Sequence, residues 1–205
     1  MITEIACRVM EEVDSCMQKV DPHIIEKMII EEMESVVKDV DESVLRKIFS
    51  TIHGANRIFF QGVGRQMLVI KYFAQPLMHL GYKVFFAGDI TCPAIKKGDV
   101  FVVVSATGEE EQTLRMVQKC KEIGDIDIIL VTAAKTSSIR NLSDITLQLN
   151  APVPTPEEDH FSVQPYGSLF EQGVLFVMDC GMSHYFVDRL GVTLRSGNPM
   201  HANLQ

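Results

Sequence analysis

Two short segments of the sequence carry residue types that bind small anions. The first, the glycine loop (residues 62–66), reads GVGRQ, and the second, the hydroxyl loop (residues 105–110), reads SATGEE. Each combines glycine with polar groups just before a predicted helix, where backbone N–H groups and the helix dipole favour an anion such as phosphate. The hydroxyl groups of Ser105 and Thr107 can also donate to phosphate oxygens.

The elements around these loops predict an α/β domain. From residue 57 onward, apolar strand-like runs alternate with helical stretches, and we predict strands at 57–60, 83–86, 99–104, 126–132 and 145–149. This alternation is typical of a parallel sheet with helices on both faces. We expect a doubly wound five-stranded sheet in the flavodoxin-like order 2-1-3-4-5. In that order the two loops follow the strands that flank the switch point, where ligands bind.

Each loop also has a purely structural explanation. Glycine is common at strand-to-helix turns, and a serine or threonine there is often only an N-cap. The presence of both loops at the predicted crevice favours a ligand site. A dinucleotide site is an alternative, with Asp89 near the end of the second strand as the ribose-binding acid. However, its fingerprint requires a third glycine where this chain has Met67.

The chain outside the sheet is helical and acidic. We predict one domain over residues 1–205, with a helical extension at 1–55, a sheet core at 56–150, and a loop, a helix from 168 to 190 and a tail within 151–205. The apolar stripe of the extension needs a partner surface, which favours a homo-oligomer.

Charge and cysteine content exclude several classes of protein. The chain has 27 acidic and 19 basic residues, and its net charge of −8 argues against nucleic-acid binding. The acidity lies on the flanks, since the middle of the chain (58–149) has 9 acids against 10 bases. No apolar run reaches the roughly 18 residues of a membrane helix. The five irregularly spaced cysteines favour reduced thiols and a cytoplasmic location.

Four segments also carry a family resemblance. They are residues 62–65 (GVGR), 105–109 (SATGE), 166–171 (YGSLFE) and 201–205 (HANLQ). They resemble the first loop, the S-G-S-G-E-T phosphate loop, the P-M-G-T-L-F-E stretch and the H-A-N-L-E ending of proteins with a SIS (sugar isomerase) domain. Within that family the chain is most similar, over essentially its whole length, to the 6-phospho-3-hexuloisomerases.

The resemblance implies isomerisation of a phosphosugar through a cis-enediol, namely D-arabino-hex-3-ulose 6-phosphate to fructose 6-phosphate. Such a reaction needs a base and a group that shuttles protons among oxygens. Glu171 matches the family's glutamate and is the candidate base, in a segment whose apolar neighbours predict an apolar environment. His201 matches the C-terminal histidine, which comes from a neighbouring subunit in such tetramers. Without the resemblance, Glu171 would be read as a solvated helical acid and His201 as part of a disordered tail.

The resemblance also implies the binding residues and partners. We expect a phosphorylated sugar as ligand, a homotetramer, and neither a metal nor another cofactor. The residues expected to bind the substrate and its phosphate are Gly62, Gly64, Arg65, Gln66, Ser105, Thr107, Gly108 and Glu110.

Two of these residues depart from the family pattern. Gln66 stands where the family has serine, and Glu110 stands where it has threonine. An inward-facing Glu110 carboxylate would repel a phosphate about 4 Å away by about 1–4 kcal/mol. Either Glu110 points away from the ligand, or the ligand or activity differs. The chain would then be a non-catalytic phosphosugar-binding module or an isomerase of a different sugar phosphate.

Overall fold

The computed structural model describes residues 22–152, 162–165 and 167–192. Among these residues two helices precede the sheet, α1 (Pro22–Lys38) and α2 (Glu42–Gly54). Helix α2 begins after Asp41, whose side chain accepts a hydrogen bond from the Ser43 N–H at 2.8 Å and caps the helix. Within the described ranges, no helix is long and apolar enough to cross a membrane.

Five strands form one parallel sheet. They are β1 (Ile58–Gly62), β2 (Val84–Phe86), β3 (Val100–Val104), β4 (Asp127–Thr132) and β5 (Ile145–Gln148). Their order, β2-β1-β3-β4-β5, confirms the predicted flavodoxin-like arrangement. Gly62 at the end of β1 lies beside Val104 at the end of β3, so the two loops leave the sheet at the same level.

The connecting helices differ from the prediction at two points. Helix α3 (Arg65–His79) follows β1, and α4 (Glu111–Ile123) follows β3. The sequence pattern predicts that α4 starts near Glu109, but it starts at Glu111, because Glu110 has extended backbone angles and takes the N-cap position. The predicted helix from 168 to 190 divides into α5 (Ser168–Val174), a π-helical segment (Leu175–Met182) and α6 (Ser183–Leu190).

Apolar side chains cover both faces of the sheet. Alternate strand residues, such as Phe60 and Phe59, belong to different core clusters because successive side chains point to opposite faces. Phe60 packs in one layer with Phe73 of α3 and Phe170 of α5. The opposite layer contains Val117 of α4. Helix α5 is thereby packed against the same face of the sheet as α3.

A buried ion pair joins the amino ends of the two central strands. Arg57 precedes β1, and its guanidinium donates to both carboxylate oxygens of Asp99, which precedes β3, at 3.0 and 2.5 Å. The side chain of Asp99 is only 2% exposed, and it also accepts a bond from the Lys96 N–H at 2.7 Å. This bidentate pair fixes the alignment of β1 and β3 at the edge opposite the two loops.

The hydroxyl loop is hydrogen-bonded to the end of β4 and to the loop that follows it. The Ile139 N–H donates to the Gly108 carbonyl at 3.1 Å, and the Thr132 hydroxyl donates to the Ala106 carbonyl at 3.1 Å. Gly108 has a φ of +69°, and a Cβ there would lie 2.1 Å from the Ser137 Oγ. Only glycine fits this position, both for its backbone conformation and for its contact.

Removing Arg57 should destabilise the fold strongly. We expect Arg57→Ala to lower the free energy of unfolding by about 3 kcal/mol, because it leaves the buried Asp99 carboxylate without its cation. Urea denaturation measures this. Arg46→Ala is the matched control, since Arg46 pairs with Glu42 on the surface and its loss should cost less than about 1 kcal/mol. Equal losses in the two variants would show that the buried pair is not an anchor.

Gly108→Ala should destabilise the chain more than Gly124→Ala. Both glycines have a positive φ, but nothing lies within 4 Å of a Cβ at Gly124. Gly124→Ala should therefore show only the backbone strain, about 1–3 kcal/mol, whereas Gly108→Ala adds the clash with Ser137. Thermal unfolding followed by circular dichroism gives both values. A Gly108→Ala variant as stable as Gly124→Ala would contradict the close contact.

Candidate active site

The glycine loop and the hydroxyl loop meet at the carboxyl edge of the sheet. Gln66 joins them: with its amide oriented so that both polar atoms are bonded, it donates to the Val104 carbonyl at 3.0 Å and accepts from the Ala106 N–H at 3.3 Å. The residue that replaces the expected serine therefore bonds the backbone of the neighbouring loop. Its side chain connects the two loops directly.

The glycines of the first loop serve close packing and an unusual backbone conformation. A Cβ at Gly62 would lie 2.9 Å from the backbone nitrogen of Met67, so this glycine lets the first turn of α3 approach the end of β1. Gly64 has a φ of +59° and occupies the N-cap position of α3, with no side-chain cap. Close packing thus accounts for Gly62 without any role in binding. At Gly64, no side chain caps the first N–H groups of α3.

The hydroxyl loop is closed around the carboxylate of Glu110. The Ser105 hydroxyl accepts a hydrogen bond from the Gly108 N–H at 2.7 Å and donates to Glu110. The Thr107 hydroxyl accepts from the Glu109 N–H at 3.3 Å and donates to Glu110 across a longer 3.4 Å contact. Of the two orientations that the sequence left open for Glu110, the structure has the one that faces the hydroxyl groups.

The three consecutive acids at the start of α4 point to three different partners. Glu109 accepts a bond from the Ser138 N–H at 2.8 Å, and Glu111 pairs with Arg115 one turn along the helix. Glu110 makes no side-chain bond to the N–H groups of its own helix. Its charge is nevertheless favourably placed, because it lies at the positive end of the α4 dipole.

A second cluster joins the glycine loop to helix α5. The Arg65 guanidinium donates to the Ser168 hydroxyl at 2.9 Å and forms an ion pair with Glu171. The side chain of Glu171 is 14% exposed, whereas Arg65 is about half exposed. The hydrogen bond with Glu171 raises the pKa of Arg65 above its ordinary value. The pair places a carboxylate and a cation together at the carboxyl edge of the sheet.

The environment of Glu171 differs from the apolar one that its sequence neighbours predicted. Leu169, Phe170 and Val174 are buried in the core layer. Glu171 lies on another face of the helix and meets Arg65 instead. Neighbours in a helix point in different directions, about 100° apart per residue, so apolar neighbours in sequence do not make an apolar environment.

Some predicted residues lie outside the described ranges, and some contacts were not predicted. His201 and Tyr166 are among the residues that the structure does not describe. Ser168 and Ser138 were missed as supporting residues. Ser168 belongs to the segment with the family resemblance, which is a usable signal, but Ser138 supports Glu109 from a loop 29 residues away.

The arrangement can support acid–base chemistry beside a loop that contains two hydroxyl donors. Glu171 is held by a partner of opposite charge, which keeps a carboxylate in a defined position. Arg65 adjoins Gln66, and Gln66 bonds the hydroxyl loop, so a short run of contacts connects the carboxylate to Ser105 and Thr107. Among the described residues, no group of three or more His, Cys, Asp and Glu is arranged to hold a metal ion.

The chain is similar to known proteins over most of its length. Residues 51–178 match the family described as SIS domain. The chain is 30% identical over 183 residues to the 3-hexulose-6-phosphate isomerase of Methylomonas aminofaciens, covering 88% of this chain and 98% of that protein. It is 32% identical over 178 residues to the protein of the same name from Mycobacterium gastri, covering 87% and 88%.

A solved structure shows the same architecture. It is that of a hypothetical protein from Methanococcus jannaschii, for which a molecular function of 3-hexulose-6-phosphate isomerase has been inferred. Its TM-score is 0.71 at 27% identity, over 89% of this chain and 98% of that one. The residues that match the SIS domain family, 51–178, span β1 to β5 and reach into the π-helical segment, so they include both loops and Glu171. The chain belongs to the SIS-domain family.

Proposed function

We propose that the protein is a sugar phosphate isomerase of the 6-phospho-3-hexuloisomerase type, which converts D-arabino-hex-3-ulose 6-phosphate into fructose 6-phosphate. The observation that carries this proposal is the pairing of Glu171 with Arg65 at the carboxyl edge of the sheet. The two relatives of about 30% identity that bear the name 3-hexulose-6-phosphate isomerase support it.

In the proposed mechanism, Glu171 acts as the base. The substrate has its carbonyl at carbon 3, and Glu171 removes the proton from the neighbouring carbon 2, which leaves a cis-enediol between the two carbons. The same carboxyl group returns the proton to carbon 3, and the carbonyl then lies at carbon 2. Arg65 holds the carboxylate before this step. When Glu171 takes up the proton its attraction for Arg65 weakens, and the guanidinium is available to the negative oxygen of the enediol.

The phosphate of the substrate is assigned to the hydroxyl loop. The expected ligands there are Ser105, Thr107 and Gly108, close to the start of α4. Because the loop offers hydroxyl donors rather than cations, the net charge of the chain does not decide whether an anion binds at this point. Glu110 stands in this loop as a negative charge.

The second catalytic group and the assembly are proposed from the resemblance. His201, which lies outside the described residues, would move protons among the sugar oxygens and would come from a neighbouring subunit. The homotetramer is proposed from the resemblance alone, and an apolar groove of about 820 Å³ between α1 and the π-helical segment, lined by Ile30, Met33 and Phe176 among others, supports only a contact between copies of the chain. A cytoplasmic location is supported by the free thiols of Cys92, Cys120 and Cys180, the three cysteines among the described residues.

A second candidate is a phosphosugar-binding module without turnover. The observation that favours it is the position of Glu110, which takes the hydrogen bonds of both hydroxyl groups in the loop. Such a module would bind the same ligands but would not exchange the proton at carbon 2. Isomerisation of a different sugar phosphate would retain the exchange and differ only in the sugar.

Glu171→Gln should abolish catalysis while ligand binding is retained. The amide cannot accept the substrate proton, so turnover should fall by about 100-fold or more. Incubation with fructose 6-phosphate in D2O, followed by NMR, should show deuterium at the exchanging carbon with the native protein and none with the variant. Binding is measured by calorimetry.

The matched control for this substitution is Glu122→Gln. Glu122 is an exposed acid on α4 that pairs with Lys119, and the charge removed is the same. Its turnover and exchange should equal those of the native chain. If the native chain binds the sugar but exchanges no proton, the binding module is the correct function. If Glu171→Gln still exchanges at the native rate, Glu171 is not the base.

Sugar 6-phosphates should stabilise the protein against heat, and NAD(H) should not. A ligand near 100 times its dissociation constant adds about 2.7 kcal/mol, which corresponds to a rise in Tm of roughly 5 °C or more for a chain of this size. Differential scanning fluorimetry with fructose 6-phosphate, fructose and NADH measures this. A rise with NADH alone would favour the dinucleotide site instead.

A further inference from the structure

We infer that Glu110 is an intramolecular competitor for the substrate's phosphate group and thereby lowers the affinity of the site for every phosphate compound, so that a phosphate without a sugar part is not retained. The inference rests on the proposed function, because it takes the hydroxyl loop to be the phosphate site. It concerns the affinity of that site for phosphate groups, whereas the reaction itself is assigned to Glu171.

The hydroxyl groups of Ser105 and Thr107 have few protons to donate. A serine or threonine hydroxyl has one proton to donate. The hydroxyls of Ser105 and Thr107 each accept a bond from a backbone N–H and each donate their one proton to Glu110. A phosphate that takes either proton must therefore displace the carboxylate from it. The two anions cannot be held by the same donors at once.

The carboxylate also resembles the group it would exclude. Its two oxygens receive two separate donors, Oε2 from Ser105 and Oε1 from Thr107, as two oxygens of a phosphate would. Glu110 is half-buried, and the Gly108 turn that positions the loop is held by backbone contacts from the loop after β4. The donors are thus arranged for an anion before any ligand arrives, and an anion from the chain itself already occupies them.

The neighbouring acids show that this is specific to position 110. Glu109 is bonded to the Ser138 N–H and Glu111 to Arg115, so neither carboxylate meets the two hydroxyls. The competition consequently depends on one side chain. Glu110→Gln removes the charge of that side chain. Glu111→Gln changes the net charge by the same amount and is the control.

The expected consequence is selection against small phosphate compounds. Every phosphate ligand must release Glu110, and a ligand that offers only a phosphate has nothing further to offset that loss. A phosphosugar can offset it, because its sugar part extends toward Glu171 and Arg65 and adds contacts there. The site should therefore exclude free inorganic phosphate while it binds a complete phosphosugar.

The test compares binding of inorganic phosphate and of fructose 6-phosphate by calorimetry. The chains compared are the native protein, Glu110→Thr, Glu110→Gln and the control Glu111→Gln. Glu110→Thr should bind both compounds about 10-fold or more tightly than the native chain, since it removes a charged competitor and adds a hydroxyl. Glu110→Gln should gain less, because its amide oxygen still accepts from the hydroxyls. Glu111→Gln should stay within about 2-fold of the native chain.

A further substitution locates the gain in the hydroxyl loop. Ser105→Ala added to Glu110→Thr should remove most of the gain, because the freed donor is then absent. Circular dichroism confirms that each variant is folded, and Glu110→Gln, which has nearly the same shape as the native residue, guards against a misfolded threonine variant.

The inference is overturned if inorganic phosphate binds Glu110→Thr and Glu110→Gln no more tightly than the native chain, or if Glu111→Gln gains as much as they do. These binding affinities are measured independently of turnover. A native chain that binds phosphosugars without isomerising them would refute the proposed activity, while a gain in the Glu110 variants would still uphold the competition.

Discussion

The parallel pairing of β1 with β3 is the constraint on which the site depends. Because Gly62 lies beside Val104, the glycine loop and the hydroxyl loop leave the sheet at the same height and face one crevice. At the opposite edge, the Arg57–Asp99 pair prevents the two strands from sliding. A shift of one residue would turn each side chain of β1 to the other face of the sheet and separate the loops.

The distribution of charge explains how an acidic chain can present an anion site. The net charge of −8 comes from the flanks of the chain, because residues 58–149 hold 9 acids and 10 bases. At the crevice, the polar groups are backbone N–H groups, two hydroxyls and Arg65, whose charge is matched by Glu171. The local arrangement of donors, and not the total charge, decides which anion is held. The carboxylates of Glu110 and Glu171 have different partners at this crevice. One occupies the hydroxyls, and the other is itself held by a cation.

The fold was largely predictable from the sequence, and the contacts of the site were not. The strands after residue 57 are short, apolar and bounded by turn residues, so their positions and parallel order follow from local patterns and chain connectivity. The orientation of Glu110 does not follow, because inward and outward rotamers suit the same N-cap position. The pairing of Arg65 with Glu171 joins residues 106 positions apart. It depends on how α5 packs against the sheet, which no local pattern contains.

The tie made by Gln66 has a consequence for motion. Its amide bonds both a carbonyl and an N–H of the chain that leaves β3, and it adjoins Arg65, which is bonded to α5. The two loops and the start of α5 are thus cross-linked by side chains, in a region where loops are usually free to fluctuate. Amide hydrogen exchange at Ala106 should be slow for this reason. Gln66 has no hydroxyl to donate to a ligand, but its amide makes the two loops more rigid. A ligand would then enter and leave this crevice through the rotation of single side chains, with the backbone fixed.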